Sequence, residues 1–519
     1  MNANRIHIDS KLVNDLSLVN LFARFTKMND LKSVHEWIIT HICHNASVIK
    51  FRNDAILLLL NHPVENDLLL NQVKILNTVQ DIITRHRILN NNIINISIHI
   101  KLLRMFIKAL NELLLLMNKN DIFNILVKPI KDLININKIN EMQGLLNNID
   151  ALYISLNNTD IVVGIDPNAV PTKFALMSFN QSLESDKGLF NENSNRQPML
   201  FDIVPAKERR NIGQLEVFIQ NAFERKHKKM IQKINILLQS FPHEALEKWM
   251  NWVHELDPIL IGCSYANVFK NKNITLCSVM CNEEGMTISK LVSPELVINT
   301  NISPVPFNMN NKNNTINLIT GANHSGKTTC IKSIAQCLIF AQLGFPVPAE
   351  AFSFKPFHKF FTLFSAGEVS EVSRFENEVK ETHLIMSKVD SNSIIFFNEP
   401  YTSTNPNNAI ELLDKIIMEI CVKNTTIFVV THLYEIYKIL LKKLGIQLNS
   451  YVARTSIDNN NINYDYIIEQ RPPDMLSHMH AIAKDFGIET SKYINCVNDI
   501  NSIQCILDSY IEDMNRLGE

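Results

Sequence analysis

The amino-acid sequence predicts an α/β domain of the phosphate-loop type, preceded by a mostly α-helical domain. Three observations support this fold class. In the first half of the chain, apolar residues recur at the spacing of helices. In the second half, short apolar runs alternate with helical patterns, which is typical of a doubly wound domain. The second half also contains glycines, a lysine and a threonine at the spacing of a phosphate-binding loop.

Composition narrows the classes of function. Of the 519 residues, 46% are hydrophobic and 20% are charged, which is an ordinary globular balance. The 50 basic and 52 acidic side chains nearly cancel, which excludes a globally basic protein that coats nucleic acid. The nine cysteines form no CxxC pair, so we expect reduced thiols in a cytoplasmic protein. Because no apolar run is long enough to cross a bilayer, we expect a soluble protein without a membrane partner.

The first domain is predicted to span residues 1–255. Between Leu12 and Met117 the helical spacing of apolar residues is uninterrupted by glycine, and Pro63 is expected to end one helix and begin the next. Glycines and prolines over residues 151–205 predict an irregular insert of loops with short strands. The helical pattern returns over Asn211–Val253.

The second domain is predicted to span residues 256–490, with a helical segment over 491–519. Three apolar runs are interpreted as buried parallel strands: Ile316–Thr320, Ile394–Phe397 and Ile427–Val430. Helices are predicted over Lys327–Leu343, Glu376–Val389, Ala409–Val422 and Leu433–Leu444. The runs Leu276–Met280 and Tyr464–Glu469 are candidates for edge strands. The alternation of predicted strands and helices along this domain predicts a doubly wound sheet.

The most specific motif is a glycine-containing loop between a predicted strand and a predicted helix. Its residues are Gly321, Ala322, Asn323, His324, Ser325, Gly326, Lys327 and Thr328. They fit the pattern G-x-x-x-x-G-K-[ST], in which glycines let backbone N–H groups surround a phosphate. Lys327 can reach the β- and γ-phosphates and the Thr328 hydroxyl can bind Mg²⁺. The cofactors predicted by this motif are ATP and Mg²⁺.

Polar residues follow the other two predicted strands and complete the candidate site. Asn398 stands where phosphate-loop enzymes usually carry aspartate, so it can orient a metal-bound water without adding charge. Glu399 is placed to position or deprotonate an attacking water. His432 follows Thr431 after the third strand and can sense the γ-phosphate, although a histidine at such a position is often structural. The predicted catalytic residues are Glu399 and His432, and the predicted metal ligands are Thr328 and Asn398.

This set of motifs resembles the MutS family of ABC-type ATPases. The loop that ends at Thr329 is similar to that family's phosphate loop, and Thr431-His432 is similar to its switch. The segment from Ser373 to Glu378 is similar to the family's signature, which implies that Ser373 reaches the γ-phosphate of ATP bound to a dimer partner. Asn405, after the catalytic glutamate, also fits the family. A simpler interpretation makes Ser373 and Asn405 helix or turn caps.

The resemblance has limits that change the expected function. The family's mismatch-recognition and connector domains have no counterpart in this sequence, so we expect a short MutS-like protein that does not read mismatches. The aromatic residue that stacks on adenine in relatives corresponds to Val297 or a neighbour. Asn398 leads us to expect slow hydrolysis.

The resulting hypothesis is a homodimeric clamp that binds and hydrolyses ATP in composite sites and acts on DNA. DNA contact is plausible through two basic clusters, although interleaved glutamates also fit a solvated helix face. The clusters are Lys207, Arg209 and Arg210, and then Arg225, Lys226, Lys228, Lys229 and Lys233. Two alternatives remain: a switch that grips a protein partner or structured nucleic acid, and a scaffold that barely hydrolyses ATP.

Overall fold

A computed structural model describes most of the chain. The chain forms two compact units. The described residues are 6–86, 92–117, 123–157, 159–165, 171–178, 201–203, 212–282, 285–300, 302–311, 316–364, 371–445, 448–458 and 461–473. One unit contains residues 1–62 and 258–519, and the other contains residues 63–257. The division at 257/258 lies close to the predicted domain boundary, whereas residues 1–62 group with the phosphate-loop domain. The predicted segment 491–519 lies outside the described residues.

The unit over residues 63–257 is mainly helical. Its helices are α5 (Pro63–His86), α6 (Asn92–Met117), α7 (Phe123–Val127), α8 (Ile136–Asn157), α9 (Ile212–Leu238) and the first part of α10 (His243–Asn271), with a 3₁₀ turn at Lys128–Ile130. Strands β1 (Thr159–Ile165), β2 (Pro171–Ser178) and β3 (Phe201–Ile203) form an antiparallel sheet. Pro63 begins α5, as the sequence predicts, and the insert contains short strands.

Two tryptophans of α10 are buried in the interior of this unit, and each donates a hydrogen bond there. The Trp249 indole is fully buried and donates a hydrogen bond to Gln72 Oε1 at 3.1 Å. The Trp252 indole donates to the carbonyl oxygen of Leu126 at 2.9 Å. Each apolar ring is therefore buried with its polar N–H satisfied, which avoids the cost of an unpaired donor.

The other unit begins with four short helices that pack against an α/β domain. These are α1 (Ser10–Asp15), α2 (Leu18–Phe22), α3 (Leu31–His41) and α4 (Ala46–Leu59). The amide of His7 donates to the carbonyl of His358 at 2.8 Å, and the Thr362 hydroxyl donates to Asp15 at 2.7 Å. These bonds anchor the start of the chain to the α/β domain.

The central sheet of this domain has six strands. They are β7 (Ile316–Thr320), β9 (Lys359–Phe364), β10 (Ser393–Asn398), β11 (Thr426–Val430), β12 (Leu448–Asp458) and β13 (Asn461–Gln470), in the order β13-β12-β7-β11-β10-β9. All neighbouring pairs are parallel except β12 and β13. The three predicted inner strands and the edge strand at Tyr464–Glu469 are confirmed.

A second sheet and the remaining helices surround the central sheet. The strands β4 (Val279–Cys281), β8 (Ala351–Phe354), β5 (Met286–Leu291) and β6 (Phe307–Asn311) form this sheet in that order. The helices are α11 (Pro294–Asn299), α12 (Lys327–Leu343), α13 (Glu371–Lys388), α14 (Pro406–Val422) and α15 (Glu435–Leu444). The edge strand predicted at Leu276–Met280 is shorter than expected and belongs to this second sheet. None of the described helices has the length and hydropathy needed to cross a membrane.

Candidate nucleotide site

The phosphate loop connects β7 to α12 at the carboxyl edge of the central sheet. Gly321 has a φ of 145°, and a Cβ atom on it would lie 2.9 Å from the Cβ of Ala453. Gly326, with a φ of 90°, is the N-cap of α12. Both positions therefore favour glycine, the first for space and the second for its left-handed backbone. The predicted loop and helix are confirmed as structural elements.

Lys327 is almost fully buried within this loop. Its ammonium donates to the carbonyl oxygens of Gly321 and Ala322 at 3.0 Å and 2.7 Å. The Glu399 carboxylate lies 3.7 Å from the same nitrogen. Burial lowers the pKa of Lys327, while the nearby Glu399 opposes that shift. An ammonium held this way can exchange carbonyl oxygens for the oxygens of a phosphate.

Thr328 and Asn398 form the pair of oxygen ligands predicted for a metal. The Thr328 hydroxyl donates to Asn398 Oδ1 at 3.0 Å, although the two residues are 70 positions apart. Parallel pairing of β10 with β11 places Asn398 beside Val430 at the edge where β7 also ends. A hydroxyl and an amide oxygen are hard ligands that fit Mg²⁺ when phosphates and waters complete the shell. Their lack of charge makes this a weaker protein contribution than a carboxylate would provide.

Glu399 occupies a strained turn immediately after β10. Its φ is 51° and that of Tyr401 is 62°, with Pro400 between them. Left-handed conformations of this kind cost about 1–2 kcal/mol per residue, and a following proline restricts the backbone further. The amide of Glu399 donates to the carbonyl of Val430 at 2.9 Å, which fixes one side of the turn. The carboxylate is thereby directed to the phosphate loop.

The predicted switch lies beside β11. The amide of Thr431 donates to the carbonyl of Ile319 at 3.1 Å, and its hydroxyl accepts from the amide of Leu433 at 3.1 Å. Thr431 is thus buried next to the strand that enters the phosphate loop. His432 is exposed and does not line the nucleotide cleft, so its catalytic role stays a prediction.

A cleft of about 730 Å³ extends from the phosphate loop to an apolar wall. Loop residues 323–329 and Glu399 line its polar end. The apolar wall consists of Leu296, Ile302, Val305, Phe307, Tyr466 and Ile468. Val297 is buried away from the cleft, whereas its neighbour Leu296 lines it. Sequence reasoning missed the segment 302–307, because its apolar residues have no strand or helix period.

The structure describes only some of the remaining residues that the sequence predicted for the site or for DNA contact. Ser373 lies in the first turn of α13, but its side chain is outside the description. Asn405 caps α14 by accepting from the amide of Asn407 at 2.9 Å, as the simpler interpretation predicted. Lys207, Arg209, Arg210 and the side chain of Lys226 lie outside the described residues. Arg225 and Lys228 of the second basic cluster line a shallow cleft along α9 together with Glu224.

His41, Cys43 and His44 are of residue types that can bind zinc and lie close together in sequence, but each has another contact. The His41 ring bonds the carbonyl of Trp37 at 2.9 Å, and the Cys43 thiol donates to the carbonyl of Gln342 at 3.7 Å. His44 packs on His358 with ring centroids 4.1 Å apart. Within the described ranges, no group of three or more histidines, cysteines or carboxylates is arranged to hold a metal ion.

Comparisons with known proteins agree with this geometry. The family model of MutS domain V matches residues 317–501. The chain is 29% identical to MutS protein homolog 4 of Candida albicans over 43% of this chain and 30% of that relative. It is 32% identical to MutS protein homolog 4 of Mus musculus over 29% of this chain and 16% of that relative. It is also 33% identical to the DNA mismatch repair protein MutS of Streptococcus pneumoniae serotype 19F over 33% of this chain and 20% of that relative.

These three matches span less than a third of each relative's length. The family-model match covers β7 and the phosphate loop. The P-loop type, the mixed α/β sheet and the position of the phosphate loop all agree with MutS domain V. Over residues 317–501 the chain is therefore similar to domain V of the MutS proteins.

Proposed function

We propose that this protein binds ATP with Mg²⁺ and hydrolyses it as a dimer that acts on DNA. One observation carries the proposal: Lys327, Thr328, Asn398 and Glu399 converge at one edge of the sheet, although they come from separate segments. This arrangement suits a nucleoside triphosphate, because Lys327, Thr328 and Glu399 line the same end of one cleft. Asn398 accepts a hydrogen bond from the Thr328 hydroxyl and so lies beside that end.

Each residue of the site has a defined task in the proposed reaction. The loop amides and Lys327 bind the β- and γ-phosphates and offset their charge. Thr328 and Asn398 would hold Mg²⁺, which neutralises charge that develops on the phosphates. Glu399 accepts a hydrogen bond from the attacking water and orients or deprotonates it. Its distance from Lys327 is close enough for these two side chains to act on neighbouring groups.

The proposed dimer and its action on DNA are supported by the similarity to MutS proteins. Two relatives carry the name MutS protein homolog 4 and others carry the name DNA mismatch repair protein MutS. We propose that two copies form composite sites in which Ser373 of one copy approaches the nucleotide of the other. The basic residues of α9 are the candidates for contact with the DNA backbone.

A nucleotide-binding scaffold with little hydrolysis is the second candidate. The observation that favours it is the neutral Asn398, which hydrogen-bonds Thr328 and adds no negative charge for the metal. In this second candidate, the binding of ATP would control the binding of a protein partner or of a structured nucleic acid.

The test is ATP hydrolysis at low salt, measured in parallel without DNA, with plain duplex and with branched DNA. Glu399→Gln serves as the blank. Stimulation by one form of DNA supports a DNA-responsive clamp and reveals its preferred shape. A hydrolysis rate that exceeds the blank but does not change with DNA favours a protein partner. A hydrolysis rate no higher than that of the blank contradicts the proposed ATPase activity and favours the scaffold.

A further inference from the structure

The turn that carries Glu399 cannot hold its shape by local preference. Glu399 and Tyr401 both have left-handed backbones, and Pro400 removes a donor between them. The bond from the Glu399 amide to Val430 secures only the first residue of the turn. The other side of the turn therefore needs an anchor from elsewhere in the fold.

That anchor is Glu378, a buried carboxylate on α13. Only 6% of Glu378 is exposed, and its Oε2 atom accepts a hydrogen bond from the amide of Tyr401 at 2.8 Å. Arg374 donates to Oε1 of the same carboxylate at 3.2 Å. Both carboxylate oxygens thus have partners, which a buried charge requires.

Additional contacts bind α13 to the same turn. Arg374 also donates to the Thr402 hydroxyl at 3.2 Å, so the helix contacts the residues on either side of the Tyr401–Thr402 peptide. The Tyr401 side chain is fully buried and its hydroxyl bonds Thr382, one turn beyond Glu378. The Phe375 ring packs edge-on against the Tyr401 ring at 6.2 Å.

The consequence for the nucleotide site follows from the short connection between Tyr401 and Glu399. Only Pro400 separates them, and its fixed φ makes that link stiff. If the Tyr401 amide loses its acceptor, the turn can relax from its left-handed conformation. The Glu399 carboxylate would then move from its place 3.7 Å from Lys327.

We propose that Glu378 is a positioning residue that, through the Tyr401 amide, holds Glu399 in its orientation for catalysis. This inference rests on the proposed hydrolysis of ATP. Glu378 itself does not line the nucleotide cleft. Its loss should lower turnover and leave the binding of ATP largely intact.

The experiment compares kcat and KM for ATP in the wild type, Glu378→Ala and Glu378→Gln. Displacing a catalytic group by about 1 Å can cost about 100-fold in rate, so we expect a loss of that order in kcat for Glu378→Ala and a small change in KM. Glu378→Gln keeps an acceptor for the Tyr401 amide and should recover much of the kcat. Glu381→Gln is the matched control, because it neutralises a part-exposed glutamate on the same helix that pairs with Lys11.

The outcomes separate the inference from the proposed function. Wild-type kcat in Glu378→Ala, or a rise in KM at constant kcat, overturns the positioning role and leaves the ATPase intact. An inactive wild type overturns the proposed function and the inference with it. If Glu378→Ala does not fold, Glu378→Asp takes its place, since the shorter side chain withdraws the acceptor but keeps the charge. A normal kcat in that variant overturns the inference.

Discussion

The two ends of the nucleotide cleft are built in different ways. The phosphate end is polar and tightly bonded, with Lys327 4% exposed and joined to two backbone carbonyls. The opposite wall is apolar, and its residue Ile302 is 66% exposed. Directional bonds at the first end fix single atoms, whereas apolar contact at the second end depends mostly on area. We therefore expect substitutions at the phosphate end to have large, specific effects and those at the wall to have small ones.

The largest effect is expected from Glu399→Gln. Loss of a general base typically lowers a rate by about 100- to 10,000-fold, and the neutral amide should still leave ATP bound. The measurement is single-turnover hydrolysis beside ATP affinity, and the expected dimer should become trapped with nucleotide. Unchanged turnover in this variant would contradict the proposed mechanism.

Lys327→Ala should weaken the binding of ATP itself. Hydrogen bonds to charged groups contribute about 1.5–3 kcal/mol, which corresponds to roughly 10- to 100-fold in the dissociation constant. Titration calorimetry with Mg-ATP measures this loss. Lys332→Ala is the control, because Lys332 lies on the same helix but bonds Ser17 and does not line the cleft. Equal affinities in the two variants would show that the loop lysine does not contact phosphate.

Asn398→Asp should raise the affinity of the site for Mg²⁺. A carboxylate can still accept from the Thr328 hydroxyl and adds a negative charge beside the metal ligands. We expect the Mg²⁺ concentration for half-maximal hydrolysis to fall several-fold. This corresponds to about 1 kcal/mol, the attraction between two unit charges about 4 Å apart in bulk water. Asn408→Asp, an exposed substitution on α14, controls for net charge. A flat Mg²⁺ titration in Asn398→Asp would refute this view of the position.

The smallest effect is expected at the apolar wall. Ile302→Ala removes a largely exposed side chain, so the dissociation constant for ATP should rise by no more than about threefold. Val422→Ala, at a residue that is 81% exposed and outside the cleft, provides the baseline for a surface truncation. A loss as large as that of Lys327→Ala would remove the contrast between the two ends.

Local pattern predicted the central part of the α/β domain closely. The bounds of β7 and α12 agree with the predicted Ile316–Thr320 and Lys327–Leu343. Both elements have strong local signals: a fully apolar strand, two glycines and a long apolar helix. The strand β12 was not predicted, because its polar residues hide the buried face and its place beside β7 depends on contacts distant in sequence.

The residues of the candidate site also fall into those that could be predicted from the sequence and those that could not. The phosphate loop and Glu399 could be predicted, since each follows an apolar strand directly. The wall segment 302–307 and Tyr466 could not, because neither has a motif and only folding brings them to the loop. Tyr466 lies beside Gly326, where a Cβ atom would be 3.3 Å from its ring. Glu378 ends the segment that resembles the family signature, but its hydrogen bond with the Tyr401 amide could not be predicted, because the two residues are distant in sequence.

The sequence by itself determined the phosphate loop, the family resemblance, and the strands that end in Asn398, Glu399 and Thr431. These features depend on residue types at short, fixed spacings, where backbone geometry leaves little choice. Only the tertiary structure decided which distant groups meet: Thr328 with Asn398, and Glu378 with the Tyr401 amide. The physical reason is that such contacts follow from the order and register of strands and from helix packing, which no local pattern contains.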